Sequence, residues 1–191
     1  MLTLSLALFV TGCGPSIKAQ YDSDPQAKFS AFKTWAWISD NPMVVSKSSG
    51  KAINPLWEDR IKDEINAGLK RKGYSQIGDP DQADFTVSFS LGSRYGVSAQ
   101  SYPTTYGTVG MGWGGGRYYG AGVSTQTEVR SYTEGTLAID VFDVGSKQPV
   151  WHGWASKKIY SENSPDEQRQ NMQLAISEIL SNFPQPPPKG S

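Results

Sequence analysis

The chain has 191 residues, with 18 basic and 18 acidic side chains, one histidine and one cysteine. A net charge of zero offers no global field to recruit nucleic acid, and a lone cysteine excludes an intramolecular disulfide. Aromatic residues make up 12% of the chain, with six Trp and nine Tyr, a content that suits a β-rich exported protein.

The chain opens "MLTLSLALFVTGCGPS". Leu2 to Val10 is almost continuously apolar. It falls well short of the ~20 residues that a bilayer-spanning helix needs, and it has the size of a signal-peptide h-region. Val10-Thr11-Gly12-Cys13 follows and resembles the lipobox of bacterial lipoproteins. Small residues let the signal peptidase reach the backbone, and the thiol takes up the diacylglyceryl group before cleavage. The expectation is a signal peptide over 1–12, then acylated Cys13 with a tether to residue 20. The membrane is then a partner through the lipid. Gly14 stands where an Asp would favour the inner membrane, which points to the outer membrane, facing the periplasm. No Lys or Arg precedes Cys13, a departure from the usual n-region.

About 180 residues remain after such processing, enough for one domain with a core. Phe29, Phe32, Trp35 and Trp37 mark an approach loop and a first strand over 34–38. The next segment, to Pro55, reads as a connecting loop. A helix then starts with Asn54 as N-cap and Pro55 in the first helical position. Trp57, Ile61, Ile65 and Leu69 recur every four residues as one apolar stripe, and Gly73 caps the C-terminus. The basic run "LKRK" complements the dipole at that end.

A short strand is predicted over 74–77. "DFTVSFSL" alternates, with Phe85, Val87, Phe89 and Leu91 on one face, as a half-buried antiparallel strand does. A Gly- and aromatic-rich stretch reads as a flexible loop over 101–122, since a long connection inside one domain is commonly functional or unstructured. A strand near 123–132 follows. "GTLAIDVFDV" then points Leu137, Ile139 and Val141 inward, "GSKQP" turns the chain, and "VWHGWASKKI" returns. The last helix has a capping box in Ser164, Pro165 and Glu167. Its buried stripe is Met172, Ala175, Ile176, Ile179, Leu180 and Phe183. The predicted fold is one α+β domain over 21–184: an antiparallel sheet with two helices packed mainly on one face, plus the long loop. Residues 185–191 form a Pro-rich tail.

Three features invite chemistry. Gly110, Gly112 and Gly115 match G-x-G-x-x-G, with Glu134 and Asp140 at about the distance of a ribose-binding acid. That motif needs a strand before it and a helix after it, to hold a pyrophosphate on the helix N-terminus. Here more glycines and then a Thr- and Ser-rich strand follow, and no Lys-Ser or Lys-Thr pair makes a P-loop. No nucleotide and no cofactor is expected. His152 is the only histidine, and the turn centred near Ser146 places Asp140 opposite it. Such a pair can do general-base work, or it can be a cross-strand polar pair on the outer face. With no second His or Cys, a metal site is not expected. Lastly, Tyr95, Tyr102, Tyr106, Trp113, Tyr118 and Tyr119 lie amid Gly and Ser, a composition used by loops that bind proteins or glycans.

The segments "FSAFKTWAWI", "LKRKGY", "QADFTVSFSL", "EGTLAIDVFDV", "VWHGWA" and "AISEILSNFP" occur in the order found in domain of unknown function 4136, a family of Gram-negative envelope lipoproteins that this chain resembles from Ala19 to Pro184. The resemblance implies an α+β domain behind a lipobox, with a Gly/aromatic insertion in the middle. It supplies no catalytic residue. The reading that follows is a lipid-anchored, non-enzymatic structural or binding module with an envelope protein or glycan as partner. Two alternatives stand beside it: an envelope enzyme using Asp140 and His152, and a surface adhesin whose aromatic loop self-associates.

Overall fold

The computed structural model describes residues 17–45, 55–111, 117–159, 164–186 and 188, with backbone alone over 102–111 and 117–126. Seven strands and two helices occur in the order β1 (Ala19–Ser23), β2 (Thr34–Trp37), β3 (Met43–Val45), α1 (Pro55–Lys72), β4 (Ser75–Gln76), β5 (Phe85–Met111), β6 (Arg117–Asp143), β7 (Pro149–Ile159) and α2 (Pro165–Ser181). The strands form one sheet in the order β1-β7-β6-β5-β2-β4, with β3 also on β5. The fold is α+β.

The sheet is mixed where the sequence pointed to an antiparallel one. β5, β6, β7 and β1 pair antiparallel, but β2 and β3 run parallel to β5, and β4 runs parallel to β2. The reason lies in the connection. A parallel pair needs a crossover, usually a helix, and α1 stands between β2 and β5 in the chain. Asp84 fixes this junction. Its Oδ2 accepts hydrogen bonds from the Lys33 and Thr34 N–H groups at 2.8 and 2.7 Å and from the Thr34 hydroxyl at 2.9 Å. Burial alone would raise this carboxyl, but those bonds and the nearby Lys33 charge outweigh it, and its pKa lies below the ordinary value.

The core lies between the helices and one face of the sheet. Phe85, Val87 and Phe89 of β5, Leu137, Ile139 and Val141 of β6, and Trp151 of β7 are buried there. They meet Ile61, Ile65 and Leu69 of α1 and Met172, Ala175, Ile176, Ile179 and Leu180 of α2. Both stripes follow the 3.6-residue period, except that Trp57 is only partly buried and Phe183, buried in the same core, lies past the end of α2. Gly73 ends α1 with φ +102°, a left-handed cap. The Lys72 ammonium donates to the Phe183 carbonyl at 2.6 Å, which satisfies an acceptor just past the end of α2. Ser164 and Glu167 make the reciprocal capping box at the start of α2. The proposed N-cap of α1, Asn54, lies outside the described residues.

Two boundaries differ from the sequence reading. Ile17 is buried and Ala19–Ser23 pairs with β7, so the folded domain takes in residues expected in the tether. The connecting loop contains β3, which a three-residue apolar run was too short to announce.

The larger difference concerns the stretch expected as a flexible loop over 101–122. β5 continues to Met111 and β6 begins at Arg117, in unbroken register from Phe85 opposite Asp143 to Met111 opposite Arg117. The strand read near 123–132 and the one at 135–143 are one element. Glycine weakens a strand but does not break it, and the Tyr, Thr and Val residues between the glycines favour one.

Candidate functional site

The helix-free face of the sheet carries the polar pair. On β7 the alternation puts Trp151 inward and His152 and Trp154 outward. Gly153 between them faces inward, and a Cβ there would collide with the Trp151 indole, which lies across it. The segment "WHGW" is therefore one unit: a buried indole, the glycine beneath it, and two outward rings, His152 exposed and Trp154 half-buried. The outer rings of His152 and Trp154 stack with centroids 5.0 Å apart at 30°.

Across the sheet the strands bring Asp22, His152, Asp140 and Ser88 into one row, in that order. The His152 Nδ1 lies 2.6 Å from Asp140 Oδ1, with both side chains partly exposed. Ser88 is buried beside Asp140. The turn that creates this facing pair is held by Asp143, whose carboxylate accepts the Ser146 N–H at 2.9 Å. Among the described residues, no group of three or more His, Cys, Asp or Glu side chains is arranged to hold a metal ion.

The second feature is the extension of β5 and β6. β3 leaves β5 after Leu91 and β7 leaves β6 at Thr133. From there outward, among the described residues, the two strands pair only with each other over 96–111 and 117–132, an arm of 16 residues per strand, about 54 Å of contour at ~3.4 Å per residue. The near part of the arm has two different faces. Positions Arg94, Gly96, Ser98 and Gln100 with Glu134, Tyr132, Arg130 and Glu128 form the charged one. Arg94 is ion-paired with Glu134, and Arg130 with Glu128 at 2.8 Å. The opposite face, Tyr95, Val97 and Ala99 with Thr133, Ser131 and Val129, carries no charge. Tyr95, Val97 and Val129 are 77%, 68% and 63% exposed on it.

The aromatic residues singled out in the sequence lie farther along this arm. Tyr102 pairs with Gln126, Tyr106 with Gly122, Tyr118 with Gly110 and Tyr119 with Val109 in the backbone register. Trp113 and Cys13 lie outside the described residues. Gly110 is in β5, and the segment after Gly115 enters β6 instead of the helix that a dinucleotide fingerprint requires. The extent of the arm and its uncharged face escaped the sequence reading. The alternation over 94–100 was the available signal, obscured by its glycines and serines.

Among the described residues, no helix is long and apolar enough to cross a membrane. Among curated proteins none matches the chain. Solved structures do. A PelC dodecamer from Paraburkholderia phytofirmans is 11% identical, with 87% of this chain and 96% of that chain covered and a TM-score of 0.46. A DUF4136 family protein from Bacteroides thetaiotaomicron VPI-5482 is 14% identical, with 89% and 95% covered and a TM-score of 0.48. A PDZ domain protein from Parabacteroides distasonis ATCC 8503 is 14% identical over 88% of this chain and 35% of that one, with a TM-score of 0.43. The family model for a domain of unknown function, DUF4136, matches residues 19–185, nearly the whole of the described fold, and the chain belongs to that family.

Proposed function

We propose that the protein is a lipid-anchored envelope lipoprotein, held at the outer membrane by acylated Cys13 and facing the periplasm, that works as a non-enzymatic binding module through its β5–β6 arm. The observation that carries the binding role is the arm itself. A two-stranded ribbon without a core beneath it is marginal in water. Among the described residues neither strand of this arm has a second β-strand neighbour, and it exposes an uncharged face with Tyr95, Val97 and Val129. Free edges and exposed apolar side chains are liabilities that a folded protein normally covers, and strand addition by a partner covers both at once. The partner class that fits is an envelope protein laying an extended segment along the arm.

The enzymatic alternative is weaker on geometry. A nucleophile–base–carboxylate relay needs the imidazole between the hydroxyl and the carboxylate. Here Asp140 stands between Ser88 and His152, which are two strands, ~10 Å, apart in the backbone. The Asp140–His152 bond is a cross-strand polar pair that orders the outer face.

Two experiments test the proposal. Cys13→Ala should abolish palmitate labelling and leave the precursor uncleaved, because two or three acyl chains supply anchoring that one chain cannot. Unchanged labelling of that variant would remove the lipoprotein reading. Joining Ser101 to Thr127, which face each other in the ladder, by an Asn-Gly turn should keep the domain folded yet lose its crosslinked envelope partners. Retention of the same crosslinks would place binding elsewhere.

A further inference from the structure

At the root of the arm, where the sheet emerges from under the helices, there is a cavity of about 270 Å³. Its wall comes from the first two turns of α1, from the N-terminal three turns of α2, and from β5, β6 and β7 where they leave the core. Ile17, Trp57, Ile61, Leu137, Ile159 and Met172 make it chiefly apolar. Its size is just below the ~300–1,000 Å³ of small-molecule sites. Lys157 is the sole ionisable side chain on this wall among the described residues. It is half-buried, and its ammonium donates to Asn171 Oδ1.

We infer that this cavity binds a single-chain carboxylate amphiphile, a fatty acid, with its alkyl tail among Ile61, Leu137 and Met172 and its carboxylate on Lys157. The apolar wall recognises the tail by burial. Met172 adapts its shape to a flexible chain, and Trp57 offers a broad apolar face. A lone cation at the side of an apolar slot selects an anionic head over a neutral or cationic one. An ammonium has three donors, and Asn171 takes one of them. The remaining N–H donors of Lys157 are suited to charge-assisted bonds with a carboxylate.

This site adjoins the root of the arm's uncharged face, with Thr133 on both, and does not depend on Cys13. The test uses the full chain carrying Cys13→Ser, so that no acyl group attached to the protein competes. A diazirine-bearing dodecanoic acid is photolysed on it and the adducts are mapped by mass spectrometry. Saturable adducts on Trp57, Ile61 or Met172 are expected. Dodecanoate should compete about tenfold or more better than dodecanol, with dodecyltrimethylammonium weaker still. Lys157→Gln should weaken labelling by about tenfold, and Lys157→Arg should restore it. Ala175→Trp, which fills the cavity, should abolish labelling while thermal unfolding reports on the fold. Because Lys157 lies at the wall's polar side, its two variants decide the matter even if Ala175→Trp fails to fold. Non-saturable labelling, adducts confined to the arm, or equal competition by all three amphiphiles would each overturn the assignment.

Discussion

At position 153 the fold accepts a hydrogen and little else. The Trp151 indole lies across Gly153, and β1 pairs along the far edge of the same strand. Gly153→Ala must push the indole out of a packed core, and overpacking of this kind costs about 1–3 kcal/mol. The check is chemical denaturation, with the midpoint falling at an unchanged slope. A variant as stable as the parent would mean that Trp151 has room to move. Asp84 is the second decisive residue. Its carboxylate holds β2 against the start of β5, and its folded-state pKa lies below the ordinary 3.8. A depressed carboxyl contributes stability above its unfolded pKa and loses it as the pH falls through the folded value. Asp84→Asn should therefore cost about 1–2 kcal/mol near pH 7, the lower end of charged hydrogen bonds for a partly exposed group. The gap to the parent should close below pH 3.8. A gap that stays constant from neutral to acid pH would show that shape, not charge, holds the junction.

Among the elements, the β5–β6 pair does two jobs along one ladder. Its inner third is the centre of the sheet, where Ile139 opposite Phe89 is fully buried. Farther out, over 92–101 and 127–136, no side chain is buried. The energetics should divide the same way. Shortening the arm at Ser101 and Thr127 keeps every core residue found among the described side chains, and halving a connection changes closure entropy by only ~0.6 kcal/mol. The shortened chain should stay within about 1 kcal/mol of the parent in thermal unfolding. A loss of several kcal/mol would mean that the outer arm packs back on the domain. The reverse experiment is Ile139→Asp. It buries an unpaired charge on the central strand, under both helices, and should cost several kcal/mol and with it the cooperative transition. Little change in unfolding would place Ile139 on the other face.

On the scale of the molecule, the chain alternates between local rules and long-range ones, and legibility follows that division. α2 was readable to the residue because its signals are local: Ser164, Pro165 and Glu167 in the capping box, then apolar side chains every three or four positions. The same holds for the inward faces of β5 and β6 around Phe85–Leu91 and Leu137–Val141, where strict alternation reports burial on one side. The pairing of Asp140 with His152 was accessible too, since a short turn fixes the register of the strands it joins. By its own order of residues, then, the sequence determined the helices, the core stripes, the facing pair and the motifs of its family.

What only the tertiary structure decided depends on contacts between distant segments. The parallel pairing of β2 with β5, allowed by the α1 crossover, is held by the Asp84 clamp across some 50 positions, which no local window contains. The arm became visible only through its ladder, because glycine and serine write no alternation strong enough to distinguish a strand from a loop. The order Ser88, Asp140, His152 across three strands fixed which neighbour the histidine has, and with it the chemistry the row can do. The cavity beside Lys157 exists because five elements stop packing at one place. A sequence records which face of each element is apolar; where those faces run out together is a property of their arrangement in space.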